Sequence, residues 1–290
     1  MRIVRDLLQK LNYHWSSQLP AASEPYDEEK LKFFEARLRE LPVSGAREYF
    51  EKHVPRLART LALVPAPQAT GRALELGCYM QITPLLQKAC GYREVRGAYY
   101  GPPGRIDHKV MRFSDGDFTC EVDHFNAEKH PFPYPDGHFD LVVACEIIEH
   151  LVYDPMHMLR ESQRVLAEGG YLLLSTPNVA SITSVAKTLG GRDNPQIFFK
   201  YDLPSPGKEA ELGHMREYTA HELGESVKAA GFEVTNLFTT VIAEFALHHK
   251  LLDFLAANGY DTENRGEQTW CLARKRGALP VNRYPAFLYE

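Results

Sequence analysis

The sequence predicts an α/β fold: a mostly parallel, doubly wound sheet behind a helical N-terminal extension. Three observations carry this prediction. From Gly71 onward short apolar runs alternate with helix-like segments, the pattern of βαβ units. Before Pro65 the apolar periodicity is helical and no strand pattern occurs. The last two strand candidates, 233–239 and 269–274, finish the parallel set as an antiparallel hairpin at one sheet edge.

The elements follow in order. Leu31, Phe34, Leu38 and Leu41 recur at helical spacing, and a second amphipathic stretch covers 46–63. Pro65 and Pro67 mark a boundary, so residues 1–67 read as a helical cap and 68–276 as the α/β domain. Strands are predicted at 73–76, 94–99, 118–122, 139–144 and 171–175. Helices are predicted at 83–89, at 156–166 with Gly169-Gly170 as its stop signal, and at 221–230 ended by Gly231. Residues 190–213 are rich in Gly, Pro and aromatics and read as a lid-like loop. Residues 277–290 form a tail, and His248-His249 read as an exposed pair in an apolar helix pattern.

Composition bounds the function. The 290 residues are 44% hydrophobic and 24% charged, ordinary for a soluble globular chain. A net charge of −5 with no clear basic stripe argues against a nucleic-acid partner. Five cysteines without a CxxC pair fit reduced thiols, and the start lacks an apolar signal core. The expectation is a cytoplasmic protein with no membrane partner.

The chemistry concentrates in Glu146-Ile147-Ile148-Glu149-His150, directly after a buried-strand pattern. On a helix, Glu146, Glu149 and His150 share one face. Two carboxylates and an imidazole there are candidate ligands for a divalent cation. They would sit at the carboxyl end of a strand, where open α/β sheets bind ligands. Further upstream, Glu75-x-Gly77 closes a strand. The glycine lets backbone approach a ligand, and the acid can receive a cationic amine.

The ordered set is Glu75-x-Gly77, Phe139-Asp140-Leu141-Val142, Glu149-His150-Leu151, Arg164-Val165-Leu166-x-x-Gly169-Gly170 and Ser175-Thr176-Pro177-Asn178. It resembles the class I S-adenosylmethionine-dependent methyltransferases over about residues 70–275. The resemblance implies a seven-stranded sheet in the order 3-2-1-4-5-7-6, with strand 7 antiparallel. It implies S-adenosylmethionine as cofactor, with Glu75 and Gly77 at the methionine end, Asn126 and Ala127 beside adenine, and Cys145 at the end of the central strand. The chain departs from the pattern at Tyr79 and Gln81, where the family has glycines, and at Tyr99, where it has an acid. These three become the expected new cofactor contacts.

Glu146, Glu149, His150 and His214 also match, position by position, the ligand set of the small-RNA 2′-O-methyltransferases. The ubiquinone-biosynthesis O-methyltransferases show a related Glu-x-x-Glu-His. This narrower resemblance implies Mg²⁺ or Mn²⁺ and a diol- or catechol-like small molecule or glycan as acceptor. Two alternatives stand beside it. One is a metal-independent methyltransferase using His150 or His214 as base. The other is a non-catalytic methyltransferase-like binding protein. The aromatic N-terminal helix, with Tyr13-His14-Trp15, could line the substrate pocket or support a homodimer.

Overall fold

The computed structural model describes residues 26–42, 47–191, 193–196, 213–242, 246–279 and 285–288. Tyr13-His14-Trp15, most of the expected lid and half of the tail lie outside them. So does the side chain of His248, while that of His249 is exposed.

Among the described residues two helices precede the sheet, α1 (Glu28–Arg39) and α2 (Arg47–Leu63). Asp27 caps α1 by accepting from the Lys30 amide at 2.6 Å. The apolar stripes of both helices share a core with one face of the sheet. Phe34, Leu38, Val54 and Leu61 pack in one cluster with Leu141, Val143, Leu173 and Trp270.

The sheet strands are β1 (Arg72–Leu76), β2 (Glu94–Tyr99), β3 (Ile106–Met111), β4 (Phe118–His124), β5 (Phe139–Cys145), β6 (Leu166–Pro177), β7 (Phe232–Thr240) and β8 (Gln268–Lys275). The connecting helices are α3 (Thr83–Lys88), α4 (Pro155–Val165), α5 (Ile182–Gly190), α6 (Ala220–Ala229) and α7 (Ala246–Ala257). The sheet order is β3-β4-β2-β1-β5-β6-β8-β7. Strands β4, β2, β1, β5 and β6 run parallel, and β8 is antiparallel to both β6 and β7. Removing β3 leaves the seven-strand order expected from the resemblance.

Side-chain alternation along β5 explains why it is central. Leu141 and Val143 face α1 and α2, whereas Val142 and Ala144 face Leu159 of α4 and Leu223 of α6. A strand buried on both faces reads as a continuous apolar run, as this one does.

Three differences from expectation have physical reasons. β3 pairs antiparallel with β4 at the sheet edge, and most of its residues are exposed, so no apolar pattern announces it. α5 was not foreseen; it starts at Ser181, whose hydroxyl accepts from the Ser184 amide at 3.1 Å. The helix before Gly169-Gly170 ends at Val165, and the glycines lie inside β6 rather than at a helix stop. Among the described residues, no helix is long and apolar enough to cross a membrane.

The segment entering β1 is tied to β5 by one side chain. The Asp140 carboxylate is 2% exposed and accepts from the backbone amides of Gln68 at 2.8 Å, Thr70 at 3.0 Å and Gly71 at 2.7 Å. Charge-assisted bonds of this kind are the strong ones. Asp140→Ala leaves three amides without their acceptor, with that of Gly71 buried and those of Gln68 and Thr70 half-buried. A stability loss of roughly 3 kcal/mol or more in urea unfolding is expected, with a smaller loss for Asp140→Asn.

Candidate active site

A cleft opens between the carboxyl ends of β1 and β5. Arg56 and Leu57 of α2, Glu75, Gly77, Tyr79, Gln81, Cys145, Glu146 and Ile147 line it. Gly77 turns the chain with φ 71°, and a Cβ there would come within 2.5 Å of the Ile147 Cδ1. The positive φ favours glycine at that position, and a side chain there would also have to displace the end of Ile147.

The Glu75 carboxylate is buried at the cleft floor and accepts from the Thr83 hydroxyl at 2.5 Å. Burial pushes its carboxyl well above the usual carboxylate range, and the Cys78 thiol beside it acts in the same direction. The Cys145 thiol is pushed up to about 12 by burial. Tyr99 ends β2 and donates from its hydroxyl to the Tyr79 hydroxyl at 2.9 Å, with the two rings edge to face at 5.3 Å. Asn126 and Ala127 are not among the cleft-lining residues. Asn126 Oδ1 accepts from the Glu128 amide at 2.9 Å and closes a local turn.

Beyond the cleft, the predicted helix through Glu146 does not form. Glu146 has φ 57°, and only a short 3₁₀ turn (Ile148–His150) follows. The i, i+3, i+4 convergence therefore fails at its first member. Glu146 Oε1 accepts from Ser175 Oγ at 2.8 Å and Gln268 Nε2 at 2.6 Å, and Oε2 lies 3.9 Å from Arg56 Nη1. Glu146 belongs to the cleft wall.

The other three expected ligands do converge. Their donor atoms, one each from Glu149, His150 and His214, all lie within 4.8 Å of one another. Glu149 is fully buried, and its Oε2 accepts from the Thr176 hydroxyl at 2.9 Å. Its Oε1 sits 3.9 Å from His150 Nε2 and 4.0 Å from His214 Nε2, beyond hydrogen-bond length. That oxygen has no hydrogen-bond partner among the described residues. Burial, with Glu146 nearby, raises the Glu149 carboxyl well above its ordinary range.

His214 is delivered by backbone pairing. The amides of Met215 and Arg216 donate to the Glu149 carbonyl at 2.7 and 3.2 Å. Glu217 Oε1 lies 3.0 Å from His214 Nδ1 and leaves Nε2 toward the cluster. Sequence reading missed Arg56, Thr176, Glu217 and Gln268. The i, i+3 spacing of His214 and Glu217 was a usable signal; Gln268 is 122 residues from Glu146 and offered none.

One carboxylate oxygen and two imidazole nitrogens form a donor set suited to a divalent ion. A buried carboxylate oxygen without a donor is costly, and a cation is what would satisfy it. The residues fit a metal.

The chain matches the methyltransferase domain family over residues 46–237. It belongs to that family. This methyltransferase domain is 32% identical over 168 residues to a Mycobacterium tuberculosis protein named "probable S-adenosylmethionine-dependent methyltransferase", covering 58% of this chain and 51% of the relative. It is 30% identical over 128 residues to the 27-O-demethylrifamycin SV methyltransferase of Amycolatopsis mediterranei, covering 43% and 45%. The chain thus spans about half the length, or less, of the curated relatives it matches. A chain of the complex between a Haloferax volcanii methyltransferase activator and a methyltransferase shares the fold, with TM-score 0.51, 13% identity, and coverage of 86% of this chain and 97% of that one.

The raised Glu75 carboxyl has a signed consequence. A folded-state value above the unfolded one means the fold holds the proton more tightly, so stability falls as pH rises past the ordinary glutamate range. Glu75→Gln is therefore expected to stabilise the ligand-free protein, and by more at about pH 8 than at about pH 5. Thermal melts at the two pH values measure the difference.

Proposed function

We propose that the chain is an S-adenosylmethionine-dependent methyltransferase acting on a hydroxyl oxygen of a diol- or catechol-like small molecule or glycan. The observation that carries the oxygen assignment is the convergence of Glu149, His150 and His214 around a carboxylate oxygen that lacks a donor. Family membership and the printed names of the relatives support the cofactor. The Amycolatopsis relative is named for an O-demethyl compound, in keeping with oxygen as acceptor.

When bound, the cofactor supplies a sulfonium-activated methyl group, and a divalent ion held by Glu149, His150 and His214 lowers the pKa of an acceptor hydroxyl. The remaining work belongs to the chain. Glu75 offers its carboxylate to the cofactor amine, and Gly77 lets backbone approach it. Arg56 and Leu57 of α2 wall the cleft and restrict water. Glu217 fixes the tautomer and orientation of His214, so that Nε2 faces the cluster. Residues 1–67 and 190–213 select the acceptor.

One observation favours a second reading. The Glu217–His214 pair is also the arrangement of a general base oriented by a carboxylate. In that mechanism His214 Nε2 takes the acceptor proton without a metal.

Calorimetry with S-adenosylmethionine in EDTA, and then with Mn²⁺ added, tests the proposal. Cofactor binding in EDTA and a separate Mn²⁺ heat are expected. The Mn²⁺ heat disappears in the Glu149→Ala, His150→Ala double variant, while cofactor binding survives. Glu217→Gln weakens Mn²⁺ roughly tenfold or more. Absence of cofactor binding by the wild type sinks the enzyme reading; cofactor binding without a Mn²⁺ heat leaves the His214-base mechanism.

A further inference from the structure

The sheet carries one strand beyond the seven that the resemblance implies. That strand is β3, which stands at the sheet edge beside β4. Its outer positions are not all polar: Ile106 is 46% exposed and Val110 58%. The outer amides and carbonyls of an edge strand are a template for another strand, so edges are commonly broken by proline or a bulge. Between Ile106 and Met111 there is no proline, and the pairing with β4 runs without a register shift. The charges on this stretch, Asp107 and Lys109, are of opposite sign.

One hydrogen bond fixes which backbone groups face outward. The His124 amide donates to the Arg105 carbonyl at 2.8 Å, so Arg105 turns its backbone groups to β4. In an antiparallel ladder the groups of successive residues point to opposite sides. Those of Asp107, Lys109 and Met111 therefore face β4, and those of Ile106, His108 and Val110 face outward. Among the described residues no strand lies beyond this edge. A further antiparallel strand fits there only with its own outward residues opposite these three. A second copy of β3 meets that condition, and its charges select the register. A dyad on Asp107 sets two carboxylates opposite each other, and a dyad on Lys109 sets two ammonium groups opposite; both arrangements are destabilising. A dyad on Ile106 or Val110 leaves less of the strand paired. A dyad on His108 sets Asp107 opposite Lys109 of the second copy and Ile106 opposite its Val110, each twice by symmetry. All three outward residues then exchange backbone bonds: His108 with His108, Ile106 with Val110, and Val110 with Ile106.

We propose that β3 pairs antiparallel with β3 of a second copy of this chain about a dyad at His108, joining the two eight-stranded sheets into one. Such a contact is isologous, the usual form of a two-fold dimer. It is a strand edge rather than a broad face, so its affinity is modest, with a Kd on the order of 10 µM. It stands independently of the cofactor and metal readings above.

Sedimentation equilibrium of the full chain, from about 1 to about 200 µM, tests the pairing. The wild type is expected to move from one chain mass towards two across that range. Lys109→Asp and Asp107→Lys each set like charges opposite each other across the dyad, and each is expected to weaken the dimer roughly tenfold or more. Mixed in equal amounts, the two variants oppose only unlike charges, so a one-to-one heterodimer of about wild-type affinity is expected. His108→Pro removes an outward amide and no bond to β4, so it is expected to melt close to wild type and to stay monomeric. A wild type that remains monomeric at the highest concentration overturns the dimer. Charge variants that associate like wild type, or that fail to recover on mixing, overturn the register. If a charge variant melts early, His108→Pro decides alone, and its retained association overturns the pairing.

Discussion

The carboxylate of Asp140 is the interaction on which the rest of the site depends. It sits on β5 but spends its lone pairs on the backbone before β1. Two parallel strands joined only through a distant crossover have no turn to set their register, and this side chain supplies the constraint. With β1 and β5 held level, their carboxyl ends leave the sheet side by side. There the two turns interlock: the space a Cβ would need on Gly77 is filled by Ile147. The cleft is the gap left between two strand ends that are tied at their beginnings and packed together at their exits.

The sequence disclosed the frame better than the site, for reasons that lie in particular residues. Strands buried on both faces, such as β5, advertise themselves by apolar runs, and the glycine at 77 marked a turn. Edge strand β3 hides because its exposed residues follow solvent rather than core. The Glu146–His150 stretch misled in an instructive way. Its spacing is helical, but Glu146 enters the left-handed region, and the following turn is 3₁₀. Glu149 and His150 still reach a common point because His214 comes to them, drawn by backbone hydrogen bonds to the Glu149 carbonyl. Contacts made across a sheet, like Gln268 to Glu146, leave no local trace in a chain.

Three carboxylates are buried in this region, Glu75, Glu149 and Glu217. Short partners of the three are Thr83, Thr176 and His214 respectively. Burying acids weakens a fold. A fold selected for stability alone would carry amides or apolar side chains at these places. Their clustering around two adjacent openings is the pattern expected where charge is reserved for a ligand.

Glu146 shows how the two openings are kept distinct. It is the first residue past β5 and lies between the cleft and the histidine cluster in the chain. Its positive φ rotates the side chain toward Ser175 and Gln268 at the ends of β6 and β8, with Arg56 of α2 opposite. Three neighbouring elements thus hold it out of the cluster, and it becomes part of the cleft wall. A helical Glu146 would have crowded a second carboxylate against Glu149, already burdened by burial and by this same neighbour. The left-handed turn gives the two acids different neighbours: Glu146 stands against Arg56 in the cleft wall, and Glu149 stands beside His150 and His214. A single backbone torsion at the end of the central strand therefore assigns two glutamates only three residues apart to different surroundings.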